Sequence, residues 1–249
     1  MTRKALIISN PGEPGAENYC NGVFRDVENY TAFLKSPIGG LWYDNEINSI
    51  NRPTAKELLN AIAAIGSVDY LFLVFSGHGW YSEKTRSTII TLKKDEDFDS
   101  SNLKLRNIRQ TMILDCCRER YDERPTAKSF MEKAARRMSQ IHPDLCRLAF
   151  DRRIEEAPRE LIVLSGCSIG ERSGDDPQSG GAYSSSLIDA ARDWCEAQNI
   201  DTTRYFASLS IPDVHQSATP SVIRKRGGRQ NPQIEKPRSG PYFPFAVIA

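Results

Sequence analysis

The sequence lacks the features that mark membrane proteins and nucleic-acid-binding proteins. No apolar run approaches the roughly 20 residues that a membrane-spanning helix needs. The 33 basic residues are balanced by 32 acidic ones, so bulk charge gives no attraction to nucleic acid or to an anionic membrane. Residues 1–4 (MTRK) lead directly into a predicted strand instead of the apolar segment of a secretory signal. We therefore expect a cytoplasmic protein without a nucleic-acid or membrane partner.

Histidine and paired cysteine are also scarce. The chain has only three histidines, which are far apart, and no two cysteines are spaced as Cys-x-x-Cys. This excludes the common zinc sites, and we predict neither a bound metal nor a cofactor. The six cysteines are irregularly spaced in 249 residues, which is typical of reduced thiols and not of a small disulfide scaffold. A chain of this length has room for one α/β domain with a sizeable core.

Two predicted strands end in chemically reactive residues. Residues 71–75 (LFLVF) are a short apolar run typical of a strand buried on both faces, and residues 76–79 (SGHG) follow it. Residues 111–114 (TMIL) have the same character and are followed by residues 115–117 (DCC). If the two strands are parallel neighbours, His78 and a cysteine meet at the same edge of the sheet. A thiol nucleophile and its base require this arrangement.

Each reactive residue also has an ordinary structural role to weigh. A loop histidine is often only a polar surface residue, and cysteine is among the most buried residue types. The combination of both at strand ends, with glycine on each side of His78, favours catalysis. Alternate residues of an extended segment share a face, so Asp115 and Cys117 point the same way. We predict that Cys117 is the nucleophile and that Cys116 packs in the core.

These motifs resemble those of a known family. The SGHG of residues 76–79 and the D-x-C of residues 115–117 are similar to the histidine and cysteine motifs of the caspase–metacaspase superfamily of cysteine peptidases. Residues 165–167 (SGC) and 230–233 (QNPQ) resemble further segments of type I metacaspases, so the resemblance spans most of the chain. One difference is plain, because metacaspases usually have His-Ser-Gly after the nucleophile and this chain has residues 118–120 (RER).

The resemblance implies the caspase-haemoglobinase fold, an α/β domain with a mainly parallel central sheet and helices on both faces. The alternation of strands and helices along the chain favours the same architecture. We predict a single domain over residues 1–249, in which residues 1–120 form a large-subunit-like part and residues 160–249 a small-subunit-like part. Residues 121–159 are predicted as a linker or insertion between them.

Periodicity and end signals locate the main elements. Thr54 and Glu57 form a capping box, which predicts a helix that ends at Gly66. The remaining predicted elements are strands at residues 5–8, 161–164 and 242–248, helices at residues 24–34, 130–138 and 183–197, and an extended piece at residues 41–43. We also predict a β-hairpin at residues 87–92 and a flexible loop on the substrate side at residues 221–240.

Two charged segments have more than one interpretation. Residues 95–99 (DEDFD) form a carboxylate cluster that could bind calcium, which many metacaspases need, although solvated charge is the commoner reason for such a run. Residues 136–137 and 152–153 are basic pairs that we expect to be exposed, as in a solvated insertion. The resemblance implies instead a linker that is cut, in which case an activating protease or a regulatory protein is a partner.

The resemblance also assigns roles to the site residues. His78 is the base for the Cys117 thiol, and the backbone amides of Gly79 and Cys117 hold the oxyanion. The pocket for the substrate residue before the cut is formed by Asp26, Ser76 and Asp115. Two carboxylates favour a guanidinium or ammonium group, so we predict an endopeptidase that cuts protein or peptide substrates after Arg or Lys. Small bacterial proteins of this kind often act in regulated proteolysis, cell death or defence against phage.

Alternative roles stay open for these residues and for the chain. Asp26 is predicted in the first turn of a helix, where the helix dipole favours a carboxylate, and Asp115 has the alternative role of a strand-end cap. The altered residues after Cys117 also fit an inactive caspase-fold scaffold or regulator. A third class, a non-enzymatic α/β binding module, is disfavoured because no phosphate-binding glycine loop follows the first strand.

Overall fold

The computed structural model describes residues 1–120, 142–198 and 206–249. Its strands are β1 Arg3–Asn10, β2 Ile47–Asn51, β3 Tyr70–Gly77, β4 Gly79–Ser82, β5 Ser87–Lys93, β6 Glu96–Asp99, β7 Arg109–Asp115, β8 Leu161–Ser165, β9 Asp175–Asp176, β10 Gly180–Gly181, β11 Ala207–Ser210, β12 Gln233–Glu235 and β13 Pro244–Ile248. Its α-helices are α1 Gly22–Lys35, α2 Ala55–Ile65, α3 Pro143–Glu156, α4 Ala182–Ala197 and α5 Ile211–Lys225.

A six-stranded sheet forms the centre of the fold, in the order β12-β8-β7-β3-β1-β2. Strands β2, β1, β3, β7 and β8 are parallel to their neighbours, and β12 pairs antiparallel with β8. The central strands are buried along nearly their whole length, because both faces of the sheet are covered. The predicted α/β architecture with a mainly parallel sheet is confirmed.

Two apolar cores lie on opposite faces of this sheet. Residues of β3 alternate between them, so that Phe72 and Val74 belong to the first core, and Leu71 and Leu73 to the second. The first core is covered by α1, α3, α4 and α5. The second is covered by α2 and by a three-stranded antiparallel sheet made of β4, β5 and β6. Helices therefore lie on both faces, as predicted.

The capping box at the start of α2 forms as the sequence indicates. The Thr54 hydroxyl accepts the backbone N–H of Glu57 at 3.1 Å, and the Glu57 carboxylate accepts the backbone N–H of Thr54 at 2.7 Å. Gly66 follows the last residue of the helix with φ of +67°, a value that favours glycine. Leu58 is fully buried in the second core and anchors the helix to the sheet.

Predictions for the short strands of the first half are wrong in detail. Residues 41–43, predicted as an extended piece, belong to no strand, and Leu41 has φ of +48°. The edge strand is β2, whose sequence INSIN has no apolar run to mark it. Residues 87–92 are not a hairpin but most of a single strand, β5, which is the middle strand of the three-stranded sheet. The acidic residues after it form β6 instead of a loop.

The segment 221–240 is not a flexible loop. Helix α5 extends into it as far as Lys225, and β12 adds an antiparallel edge strand to the main sheet. Proline usually ends a helix, so Pro220 makes a helix in this segment unexpected. Helix α5 nevertheless continues through Pro220, with Ala218 and Val222 buried in the first core. The predicted last strand is present as β13, but it pairs with β11 outside the main sheet.

Part of the predicted linker at residues 121–159 is helix α3. This helix begins with a proline at its first position and buries Phe150 and Ile154 in the first core. Arg152 and Arg153 lie on its surface and both donate to Glu156, at 3.1 and 2.8 Å. The predicted helix at residues 130–138 and the basic pair at residues 136–137 lie outside the described residues.

Candidate active site

The pairing of β3 with β7 brings the two reactive strand ends together. Ser76 lies opposite Asp115 in a parallel register, so His78 and Cys117 each follow two residues later at the same edge of the sheet. Both side chains line one small cleft. The cleft is also lined by Cys20, Val23, Asp26, Ser76, Gly77, Asp115, Ser173, Gly174, Asp175 and Gly181. All the predicted site residues except Gly79 are therefore in this cleft.

The neighbouring thiols of Cys116 and Cys117 have opposite environments. Cys116 is buried in the second core, and a Cβ on Gly79 would lie only 2.8 Å from its Sγ. Cys117 is partly exposed and faces the cleft. The two side chains point as strand alternation predicts. Gly79 packs against Cys116 at the start of β4, so its predicted oxyanion role rests on its main-chain amide.

The Cys117 thiol holds its proton in this environment. Burial raises the pKa of Cys117 above its usual value. Its Sγ lies 3.9 Å from the carbonyl oxygen of Ser173, which also lines the cleft. A thiol with a raised pKa is a poor nucleophile at neutral pH unless a base removes the proton. This favours direct proton transfer to a histidine over a preformed thiolate–imidazolium pair.

The imidazole of His78 is held through its Nε2 atom. Nε2 lies 3.3 Å from the carbonyl oxygen of Pro11 and 3.8 Å from the Sγ of Cys20. Because a carbonyl only accepts, we assign the proton to Nε2, which makes Nδ1 the basic nitrogen of the neutral ring. The backbone N–H of Cys20 donates to the same carbonyl at 2.8 Å and fixes it. Gly12 lies beside it with φ of +98°, a value that favours glycine, and a Cβ there would lie 2.8 Å from Nε2.

Asp26 lines the cleft although its exposed fraction is only 1%. Its carboxylate accepts the hydroxyl of Ser76 at 2.5 Å and the backbone N–H of Gly181 at 2.8 Å. Burial and the nearby Asp115 raise the pKa of Asp26 well above its usual value. The prediction that Asp26 lies in the first helical turn is wrong, because α1 begins at Gly22 and Asp26 is its fifth residue. The helix dipole therefore does not account for this carboxylate.

Asp115 is buried beside Asp26 and joins β7 to the start of α4. It accepts the backbone N–H and the hydroxyl of Ser184, at 2.9 and 2.7 Å, and the hydroxyl of Ser173. Ser184 is the third residue of α4, so its N–H is one of the donors that a helix leaves unpaired at its N-terminus. Burial raises the pKa of Asp115, and these hydrogen bonds oppose the rise.

A third carboxylate in the cleft, Asp175, is absent from the predicted site. It lies in β9 and accepts the backbone N–H of Gly22 at 3.1 Å. Burial, with a smaller contribution from Asp115, raises the pKa of Asp175 to about 6. Asp175 is partly exposed, whereas Asp26 and Asp115 are buried. The only signal in the sequence is an acidic pair in a loop rich in glycine and serine.

The residue after the candidate nucleophile does not line the cleft. Arg118 is buried, and it donates from Nε to the Thr88 hydroxyl at 3.0 Å and from Nη1 to the Cys167 carbonyl at 3.2 Å. Its guanidinium also lies 5.5 Å from the centre of the Tyr81 ring. The arginine that replaces the histidine therefore adds a packed side chain that ties the segment after Cys117 to β5, and it does not itself line the cleft.

The QNPQ segment at residues 230–233 fastens the loop that follows β8. Asn231 donates from its backbone N–H and its side-chain amide to the Glu171 carboxylate, at 2.7 and 2.6 Å. Gln233 donates to the Ser168 hydroxyl at 2.9 Å. This loop continues into the wall of the cleft, so the motif supports the site from behind.

The acidic segment at residues 95–99 does not fit a calcium site. Its carboxylates accept hydrogen bonds from the protein, for example Glu96 from the backbone N–H of Ala55 at 2.6 Å and Asp97 from the Thr91 hydroxyl at 2.7 Å. Within the described part of the chain, no three His, Cys, Asp or Glu side chains are grouped as ligands for a metal ion.

A mainly parallel α/β sheet with a cysteine and a histidine at the ends of adjacent strands defines the architecture of one class of cysteine peptidases. A family model described as a caspase domain matches residues 2–242. Because this match covers nearly the whole chain, the chain belongs to the caspase-domain family, and the resemblance drawn from the motifs is confirmed. Membership supports a function of the cysteine-peptidase type.

Solved structures with the same fold include a caspase. The chain is similar to the crystal structure of caspase-1 from Spodoptera frugiperda, with a TM-score of 0.58 over 94% of this chain and 87% of that one. The sequence identity is 11%, so this likeness shows the fold alone. A search of curated proteins gave no match. Across residues 1–120, 142–198 and 206–249, no helix is long and apolar enough to cross a membrane.

Proposed function

We propose that the protein is a cysteine endopeptidase that cuts protein or peptide substrates after Arg or Lys. The observation that carries the proposal is the cleft itself, where His78 and Cys117 share one edge of the sheet with three carboxylates. The thiol and imidazole supply a nucleophile and a base, and the carboxylates supply the negative charge that a basic substrate residue needs. The activity belongs to regulated proteolysis, with a regulatory protein or an activating protease as a partner.

In the proposed reaction, Nδ1 of His78 accepts the proton of Cys117 as its sulfur attacks the scissile carbonyl carbon. The imidazolium then gives this proton to the leaving amine, which departs and leaves a thioester on Cys117. Water, with His78 again as base, hydrolyses the thioester and restores the thiol. Proton transfer of this kind typically contributes about 10²–10⁴-fold to the rate. The carbonyl of Pro11 supports it by holding Nε2–H and by stabilising the imidazolium.

The oxyanion formed in the attack needs hydrogen-bond donors at a fixed position. We propose the backbone amides of Gly79 and Cys117 for this role. The amide of Cys117 adjoins its own sulfur, and Gly79 directly follows His78 in the chain. The packing of Gly79 on Cys116 supports a fixed amide, because a larger residue would have to displace either Cys116 or β5.

The proposed specificity rests on three carboxylates of different exposure. Asp26 and Asp115 flank Gly181, where a Cβ would overlap an oxygen of Asp115 and lie 3.0 Å from Oδ2 of Asp26. Both are buried and hydrogen bonded to the protein, so they act through their charge, and a bound cation favours their ionised forms. Asp175 is partly exposed and is the direct partner that we propose for a guanidinium or ammonium group. A substrate residue with its own carboxylate would be repelled.

A set of matched peptides that differ only in the residue before the cut tests this function. The purified protein should cleave peptides with Arg or Lys at this position, cleave the Gln peptide far more slowly, and leave the Asp peptide intact. A preference for Asp would contradict the proposed pocket. No cleavage of any peptide by the folded protein, whether processed or not, would favour an inactive caspase-fold scaffold.

Asp175 should make the binding of basic substrates depend on pH. Its pKa is raised to about 6, so it is ionised at pH 7.5, and about a tenth of it stays ionised at pH 5. Arginine is charged throughout this range, so KM for an Arg peptide should rise about tenfold on acidification. The variant Asp175→Asn should have a high KM at every pH and lose this dependence. A KM for the wild-type protein that stays constant from pH 7.5 to 5 would rule out this role.

Cleavage between residues 121 and 141 should leave two fragments that stay together. Arg3 in β1 is buried and contacts Asp151 of α3 at 2.7 Å, and Arg147 of α3 donates to Glu46 at 2.7 and 2.8 Å. The apolar contacts of α3 and the pairing of β7 with β8 also join elements from before and after the cut. With the ion pairs, they give the two fragments a shared core. Native mass spectrometry should give one complex where denaturing electrophoresis gives two bands.

The Cys117→Ala protein is the control for this experiment, because it should remain uncut unless another protease is present. Fragments that separate without denaturant would contradict the shared core. An active wild-type protein that stays in one piece would show that cutting is unnecessary for activity.

A further inference from the structure

Gln230 is a fully buried polar residue next to the cleft, and its side chain makes three hydrogen bonds. Its Oε1 accepts the backbone N–H of Gly174 at 2.8 Å. Its Nε2 donates to the backbone carbonyl of Gly166 at 2.9 Å and to the hydroxyl of Ser173 at 3.1 Å. Both Ser173 and Gly174 line the cleft. Gln230 itself does not line it and therefore acts only through these neighbours.

The orientation of this amide is fixed by its backbone partners. The N–H of Gly174 only donates, and the carbonyl of Gly166 only accepts. If the oxygen and nitrogen of Gln230 were exchanged, its NH₂ group would face the N–H of Gly174, and its oxygen would face the carbonyl oxygen of Gly166. The second N–H of Nε2 is then directed at Ser173. The side chain has no remaining freedom to reverse these roles.

The fixed amide also fixes the hydroxyl of Ser173. Its oxygen accepts from Gln230, and its single proton is therefore donated to Oδ1 of Asp115. The second oxygen of Asp115 accepts from Ser184. A directed chain of hydrogen bonds thus runs from Gln230 through Ser173 to a buried carboxylate. Every donor in the chain points toward Asp115 and favours its ionised form.

We propose that Gln230 is a positioning residue that sets the charge preference of the cleft. It holds the wall made of Ser173 and Gly174 and orients the Ser173 hydroxyl as a donor to Asp115, which favours negative charge on this carboxylate beside a basic substrate residue. This proposal rests on the proposed function, because it concerns the same pocket. It also accounts for the first residue of the QNPQ segment, whose remaining polar residues only fasten the loop after β8.

The test compares four variants with the wild-type protein. Gln230→Met keeps the length and volume of the side chain but makes none of the three hydrogen bonds. Gln230→Glu keeps the acceptor for Gly174 and has at most one donor, when protonated, where glutamine has two. Ser173→Ala removes the middle of the chain and leaves the core unchanged. Gln233→Met is the matched control, because it alters an exposed glutamine of the same segment.

Each protein is assayed with matched Arg and Gln peptides, and Cys117 is separately alkylated with iodoacetamide, which does not use the pocket. We expect kcat/KM on the Arg peptide to fall about 10- to 100-fold in each of three variants, Gln230→Met, Gln230→Glu and Ser173→Ala. The reason is that a hydrogen bond to a charged group is worth roughly 1.5–3 kcal/mol. The loss on the Gln peptide and the change in the alkylation rate should be at least several-fold smaller than the loss on the Arg peptide. The double variant Gln230→Met with Ser173→Ala should be no worse than either single one, since both break the same chain.

Equal losses on the Arg and Gln peptides would overturn the proposal, because they would indicate a general disturbance of the site. Losses for the Gln233→Met control as large as for Gln230→Met would do the same. If Gln230→Met does not fold, Ser173→Ala and Gln230→Glu decide the question.

The affinity for benzamidine, a small cation that needs no catalysis, separates this proposal from the proposed function. If the wild-type protein binds benzamidine but cuts no peptide, the endopeptidase proposal fails, and a 10- to 100-fold weaker affinity in Ser173→Ala would still support the role of Gln230. If neither benzamidine binding nor peptide selectivity depends on Gln230 or Ser173, this inference is wrong.

Discussion

Replacing Cys117 by alanine is expected to lower peptide cleavage by about 10³-fold or more, because no sulfur is left in the cleft to form the thioester with His78 as base. Replacing Cys116 by alanine should leave most of the activity. Cys116 packs in the second core, so its loss should cost only about 1 kcal/mol of unfolding free energy. Steady-state kinetics with an Arg peptide, together with thermal unfolding of both variants, provides the measurement.

Cys20→Ala is a necessary third variant, because the Sγ of Cys20 lies 3.8 Å from Nε2 of His78. Since Nδ1 is the nitrogen that serves Cys117, this variant should keep activity within about tenfold of the wild-type value. If the folded Cys20→Ala protein is inactive and the Cys117→Ala protein is active, then Cys20 and not Cys117 is the nucleophile.

Replacing Asp26 by asparagine is expected to lower kcat/KM on Arg peptides by about 10- to 100-fold. Asp26 acts through its charge and not as the direct partner, so we expect the lower part of the about 2–5 kcal/mol that breaking a desolvated charge pair typically costs, and about 1.4 kcal/mol corresponds to a factor of ten. Asparagine is the better replacement, because its carbonyl can accept the N–H of Gly181 and its amide can donate to Ser76. Alanine would leave the N–H of Gly181 and the hydroxyl of Ser76 buried without a partner. The experiment could then not separate weaker substrate binding from lower stability of the protein.

The charge dependence of this loss is the decisive part of the Asp26 experiment. Cleavage of the Gln peptide should change little, because that peptide gains nothing from the negative field. Circular dichroism and the iodoacetamide reactivity of Cys117 should match those of the wild-type protein. An unchanged ratio of Arg to Gln cleavage in a folded Asp26→Asn protein would remove Asp26 from the pocket.

The fold could be predicted from the sequence where apolar runs and end signals coincide. Strand β3 has five consecutive apolar residues before a glycine, and α2 carries both a capping box and a terminal glycine. Strand β2 could not be found in this way, because a short edge strand exposes most of its residues and needs no apolar pattern. Helix α5 could not be predicted beyond Pro220 for a different reason. Proline destabilises a helix interior locally, but the packing of α5 on the first core outweighs this destabilisation.

The candidate site could be predicted where motifs end strands, but not where distant loops return to it. His78 and Cys117 follow strands that pair in register, so their meeting could be inferred from the sequence. Asp175 reaches the cleft in the short strand β9, and Gln230 reaches the wall of the cleft in a segment beyond α5. Neither connection leaves a periodic pattern in the sequence. The family resemblance places Asp26 in the cleft, but its burial against Ser76 and Gly181 is a tertiary contact that no local pattern indicates.

The central claim is that Cys117, with His78 as its base, cuts substrates that have a basic residue before the cut. Covalent trapping is the most direct test of this claim. The purified protein is incubated with two peptidyl chloromethyl ketones that differ only in having Arg or Asp next to the reactive group, and adducts are located by peptide mass spectrometry. We predict a single adduct on Cys117, formed much faster with the Arg reagent and lost in a His78→Ala variant. An adduct on Cys20 or Cys116, or equal rates with the two reagents, would contradict the proposed site and its specificity.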